Sequence, residues 1–266
     1  MSYAPINGLN MYYEAHGPEG GVPLVLLHGA LSATETSFGT TLPELAKTRR
    51  VIAVEQQAHG RTGDIDRPLS TPQMAADTVA LLGHLGIERA DFFGYSMGSG
   101  IALHIGVNRP DVVRKLVLLT AEFNHTGMHE GLLEGVSEVT PEMLAGSPFE
   151  SEYMRLAPNK DDWPALLRKV GDLNSRIPEH DYSEDVIRAL QPPALLIIGD
   201  SDIVRPEHAV EFFRLLGGGV IGDMVGLPSS RLAILPGTTH VTSAYQAELL
   251  VPMINSFLDA DSPRAA

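Results

Sequence analysis

Asp91-Phe92-Phe93-Gly94-Tyr95-Ser96-Met97-Gly98-Ser99-Gly100 joins a strand-like run to a helix-like one through a serine flanked by glycines. An apolar, aromatic run leads straight into Gly94-Tyr95-Ser96-Met97-Gly98, and small residues with helical character follow through Ala102 to Val107. A sharp turn from strand to helix needs glycine on both sides of the serine, because neighbouring backbone must approach closely there. The turn lifts the serine hydroxyl out of the sheet at a helix N-terminus, where free N–H groups favour developing negative charge. A serine N-cap on an ordinary βα turn is the plainer alternative.

The pattern repeats outward from that point. Upstream, Pro23 to Leu27 and Arg50 to Glu55 are short apolar runs of the kind buried on both faces of a parallel sheet. A helix is expected over Ser37 to Lys47 and another over Thr71 to Leu85, with Pro72 suited to a first helical turn. The opening segments Tyr3–Ile6 and Leu9–Ala15 flank Asn7-Gly8, a hairpin signature. Downstream, Lys115 to Thr120, Pro193 to Gly199 and Arg231 to Leu235 read as strands. Helices are expected over Pro206 to Leu216 and Ser243 to Leu258. Strands alternating with helices imply a mostly parallel sheet covered on both faces.

The alternation stops between Glu122 and Gln191. That stretch has helical fragments such as Gly131–Val136 and Trp163–Val170 and no strand-like run. The expected organisation is therefore one α/β core domain, 1–121 and 192–266, interrupted by a helical cap at 122–191. Apolar residues of the insertion, among them Met143, Trp163 and Leu167, are candidates to line a pocket or to pack the insertion on the core.

Composition narrows the partners. With 33 acidic against 19 basic residues the net charge is -14, so phosphate backbones and anionic lipid are repelled, and neither nucleic acid nor membrane is expected as a partner. There are no cysteines, which removes thiol nucleophiles and cysteine metal sites together. The first residues lack a basic region followed by an apolar run, so a cytoplasmic location is expected.

A serine hydroxyl needs an adjacent base to act as a nucleophile. Of ten histidines, His240 is best placed, just after the last strand in Pro236-Gly237-Thr238-Thr239-His240. The acid that orients it should follow another strand, and Asp200 and Asp202 both do. Asp202 is favoured because a group in the turn can swing toward the histidine. His59 reads as a structural loop histidine. His125 and His129 have i,i+4 spacing but lack the intervening glutamate and third ligand of a zinc site.

On these motifs the chain resembles the α/β-hydrolases, in particular the compact, capped group that includes small-molecule esterases, perhydrolases and C–C bond hydrolases. The order Ser…Asp…His is theirs, His28-Gly29 matches their motif after the third strand, and Gly199 to Asp202 matches their G-x-x-D. The resemblance implies an eight-stranded sheet, oxyanion donors at the backbone N–H groups of Ala30 and Met97, and no metal or organic cofactor. It implies acyl transfer on a small, largely apolar ester, with C–C, lactone or peracid chemistry on the same triad as the alternative and a non-catalytic binding protein as a third reading. Some relatives place the acid after the earlier strand, which would make it Glu122. Ser99, Glu55 and the loop Gln56–Arg61 depart from the family pattern without touching the triad.

Overall fold

The structure, a computed structural model, describes residues 2–261; the outermost residues of the expected core, 1 and 262–266, lie outside it. Eight strands form one sheet: β1 (Ser2–Ile6), β2 (Leu9–His16), β3 (Leu24–Leu27), β4 (Val51–Val54), β5 (Ala90–Tyr95), β6 (Val113–Leu119), β7 (Ala194–Ser201) and β8 (Arg231–Thr239). Their spatial order is β1-β2-β4-β3-β5-β6-β7-β8. The β1–β2 hairpin and its β2–β4 junction are antiparallel, and every later pair is parallel. Asn7 and Gly8 both take positive φ, as a tight hairpin turn requires.

Twelve helices accompany the sheet among the described residues. Before β6 these are α1 (Thr34–Phe38), α2 (Leu42–Leu45), α3 (Thr71–His84) and α4 (Met97–Asn108). Between β6 and β7 run α5 (Leu132–Ser137), α6 (Pro148–Leu156), α7 (Trp163–Ser175) and α8 (Glu184–Arg188). After β7 come α9 (Pro206–Leu215), α10 (Gly222–Val225), α11 (His240–Ser243) and α12 (Ala247–Asp259). Two helical expectations are corrected. The helix expected over Ser37 to Lys47 is two short helices, because the chain turns at Gly39 and Pro43 opens α2. The terminal helix is divided at 244–246, so that His240 heads its own short helix. No helix of the described residues is long and apolar enough to cross a membrane.

The period of two along each strand sorts side chains onto two cores. Val25, Leu27, Ile52, Val54, Phe92, Leu116 and Leu118 face α3 and α4. Their neighbours Leu24, Leu26, Val51, Ala53, Phe93, Val117 and Leu119 face Phe38, α2 and α12. Each of these side chains except Ala53, when fully buried, contributes roughly 1.5–3 kcal/mol. With both faces covered, the carboxyl ends of the parallel strands are where loops are free to carry chemistry.

Candidate active site

Packing forces the turn after β5. A Cβ on Gly98 would strike the Leu27 carbonyl, and one on Gly94 would strike the Gly98 carbonyl, so neither position admits a side chain. Between them Ser96 sits at φ 54°, ψ -120°, a strained conformation for a residue with a side chain. The Ser96 N–H donates to Leu119 O at 3.0 Å, which ties the elbow to the end of β6. Ser99, where relatives often have glycine, is fully buried; its hydroxyl lies 2.7 Å from Gly94 O and 2.8 Å from Leu119 O and is shared between them. The departure thus reinforces the same tie.

Three loops at this edge bring Ser96, His240 and Asp202 together. His240 Nε2 is 2.9 Å from Ser96 Oγ, and His240 Nδ1 is 2.9 Å from Asp202 Oδ1. Because a carboxylate only accepts, Nδ1 carries the proton and Nε2 presents its lone pair to the serine hydroxyl. Asp202 is buried and held from below: Gly199 N donates to Oδ2 at 3.1 Å and Ile203 N to Oδ1 at 2.7 Å. The other candidate, Asp200, accepts from Gly237 N at 2.8 Å and Thr238 N at 3.3 Å, bracing the loop that delivers His240. Glu122 makes no hydrogen bond to His240.

Two further residues position the histidine. The Tyr95 hydroxyl donates to His240 O at 3.2 Å, and its ring centroid lies 5.5 Å from the imidazole. A reciprocal capping box between Thr239 and Thr242 fixes the start of α11, where His240 is the first residue. Neither device had a separate signal in the sequence; Tyr95 occupies only the variable position of the Gly94–Gly98 motif.

The loop after β3 presses against the serine: a Cβ on Gly29 would lie 3.5 Å from Ser96 Cβ. Burial holds His28 down to about 3, so it is neutral. Its Nε2 accepts from Gln56 N at 3.0 Å, leaving Nδ1–H to donate to Gly29 O at 2.8 Å. The Gly29–Ala30 peptide is planar and trans, so fixing its carbonyl points the Ala30 N–H the opposite way. Met97 is the first residue of α4, and a helix leaves that N–H without an internal partner. Neither the Ala30 nor the Met97 N–H donates to a protein acceptor among the described residues.

Around this loop runs a chain of charges. The fully buried Glu55, whose carboxyl burial pushes up to about 7, accepts from Arg61 N at 2.5 Å and Nη1 at 2.9 Å. Arg61 pairs on with Glu35 of α1, and Glu35 with Arg155 of α6 at 2.6 Å. The departures at Glu55 and Arg61 therefore link the core to the helices between β6 and β7. His59 is buried, with Nδ1 2.8 Å from Gln57 O. His125 pairs with Asp181 at 2.6 Å.

A cavity opens one turn along α4 from Ser96. Gly100 and Leu103 of α4, Leu173, Ile177 and Tyr182 line it, and Glu122, Asp181 and His180 are its ionisable side chains. Met143, Trp163 and Leu167 do not line it, whereas Met128 and Leu133 of the same insertion line a separate cavity. Trp163 and Leu167 are buried in the core, and Met143 is 69% exposed.

Residues 22–141 match the family model of the α/β-hydrolase fold. The chain is 33% identical over 261 residues to a pyrrolizixenacetamide deacetylase of Xenorhabdus hominickii, with 90% of this chain and 91% of the relative covered. It is 24% identical to the mouse (Mus musculus) serine hydrolase BPHL over 95% of this chain and 84% of that one. In three dimensions it is similar to a meta-cleavage product hydrolase from Pseudomonas fluorescens IP01, with a TM-score of 0.78, 20% identity and 97% of both chains covered. By sequence, sheet topology and these relatives, the chain belongs to the α/β-hydrolase fold family of hydrolases.

Proposed function

We propose that the protein is a serine hydrolase that cleaves small carboxylic esters through an acyl-enzyme. Ser96 is the nucleophile, His240 the general base and acid, and Asp202 the group that orients and charge-balances the imidazole. The observation that carries this reading is the unbroken relay Ser96–His240–Asp202, two contacts of 2.9 Å each, with the tautomer set by the carboxylate. Ser96 Oγ attacks the carbonyl as His240 Nε2 takes its proton. The Ala30 and Met97 N–H groups receive the oxyanion, each contributing about 10²–10³ in rate. His240 then protonates the leaving group and activates the water that releases the acid. The relative named a deacetylase supports acyl transfer as the reaction class. The helices between β6 and β7 act as a cap that gives the substrate its pocket.

The test is Ser96→Ala with a panel of p-nitrophenyl esters and lactones. Turnover of esters by the parent should fall by roughly 10⁴–10⁶ in kcat, leaving the contribution of the oxyanion donors. A fluorophosphonate should label the parent at Ser96 alone, located by peptide mass spectrometry. A folded Ser96→Ala protein with parent activity would remove the proposal.

A further inference from the structure

Outside the triad, Glu122 is a carboxyl group just beyond β6 that the proposed relay does not use. It lies three residues beyond Leu119, whose carbonyl holds the Ser96 N–H, and it lines the cavity over α4. No side chain among the described residues donates a hydrogen bond to it; its own backbone N–H is the donor it meets. The titratable groups near it are His240 from the turn after β8, Asp202 from the turn after β7, and Asp181 and His180 from the segment before α8, the last two lining the same cavity. The two carboxylates repel it, and His240 would attract it only as the imidazolium. Asp181 is already engaged, by His125 N at 2.7 Å and His125 Nδ1 at 2.6 Å. Among the described residues, no lysine or arginine lines the cavity.

Loss of water around it pushes the Glu122 carboxyl up to about 6, so above pH 7 it is an anion facing the cavity without a counter-charge. Such an anion is poorly solvated, and a ligand cation with N–H donors would relieve it; a ligand anion would face two carboxylates.

Resting on the serine-hydrolase reading, we propose that the substrate carries a protonated amine that sits in this cavity against Glu122. The enzyme would then select cationic esters or amides over neutral ones and reject anionic ones. Gly100, which lines the cavity, lies four residues along α4 from Ser96, a rise of about 6 Å, so the cavity is within reach of a substrate held at Ser96.

The probes are n-pentylammonium, n-pentanol and pentanoate, each titrated calorimetrically into the purified protein and used as inhibitors of p-nitrophenyl butyrate hydrolysis. At pH 8 the ammonium should bind about tenfold more tightly than the alcohol, as one charge-assisted hydrogen bond provides, and pentanoate least tightly. At pH 5, where Glu122 is protonated, the ratio of ammonium to alcohol should approach one. Glu122→Gln should bring it near one already at pH 8, and Glu122→Asp should keep part of it. Equal binding of ammonium and alcohol to the parent at pH 8, or a Glu122→Gln protein that keeps the preference, would overturn the proposal. Calorimetry reads binding without turnover. A protein that prefers the cation but hydrolyses no ester would therefore overturn the proposed reaction and leave the amine site standing.

Discussion

Asp202 uses one carboxylate for two tasks, and asparagine would separate them. Oδ1 accepts from His240 Nδ1 at 2.9 Å, Ile203 N at 2.7 Å and Val204 N at 3.4 Å, while Oδ2 accepts only from Gly199 N at 3.1 Å. An amide has one oxygen, and the three donors on the Oδ1 side outvote the one on the other. In Asp202→Asn the oxygen therefore stays toward His240, the productive tautomer is kept, and the amide NH₂ is turned against the Gly199 N–H. Two facing donors at a buried site cost about 1–3 kcal/mol of stability. The catalytic loss is then the missing counter-charge alone. Unit charges about 4 Å apart at an effective dielectric near 20 attract by about 4 kcal/mol, which corresponds to about 10³ in kcat. That is less than the roughly 10⁴ seen in a serine protease whose Asp→Asn change also inverts the tautomer. Steady-state kcat on p-nitrophenyl butyrate reads the first effect. Thermal melting reads the second, at about 2–4 °C per kcal/mol for a chain of this size. Retention of kcat within about fivefold of the parent in a folded variant would refute the role of Asp202. A loss of 10⁴ or more would show that the amide turns the other way.

Two further expectations concern stability. Gly98→Ala places a Cβ on the Leu27 and His28 backbone, which has no flexible end to give way, so the variant should melt far below the parent or fail to accumulate; melting within about 2 °C of the parent would contradict the elbow geometry. Burial holds His208 down to about 4, below its unfolded value near 6.5, so its contribution is complete above pH 6.5 and is lost as pH falls toward 4. His208→Gln keeps an acceptor for Phe123 N, now 3.2 Å from His208 Nε2, but cannot titrate. Between pH 7.5 and 5.5 the parent should lose about 1 kcal/mol more than this variant in urea unfolding; parallel pH profiles would count against a buried, neutral His208.

What was legible in the sequence was whatever leaves a short-range trace. Gly94 and Gly98 are spaced by a steric requirement, the strands β3 to β7 by double-sided burial, and Asp202 and His240 by their position just after strands. The split of the expected Ser37–Lys47 helix at Gly39 was missed because apolar spacing continues across it. The start of α4 at Met97 and the reach of β8 to Thr239 lie in stretches whose composition suits turns, and tertiary pairing with neighbouring strands decides them. The Arg155–Glu35–Arg61–Glu55 chain, the His28 brace and the wall of the cavity join residues far apart in the sequence. Charge pairing has no period, so nothing along the chain announces it.

The register between β6 and β7 bears on how such a protein changes. Leu116 to Leu119 pair directly with Ala194 to Ile197, although residues 120–193 separate the two strands. Closing a loop of about 70 residues rather than about 10 costs only about 2 kcal/mol in chain entropy, since that entropy grows with the logarithm of length. The strands hold their alignment through the sheet, and the elbow is tied to Leu119 from below. The intervening segment is thus free to lengthen, shorten or exchange its helices with little penalty to the framework that holds Ser96. One reaction centre can in this way acquire new substrates by rewriting a single excursion of the chain.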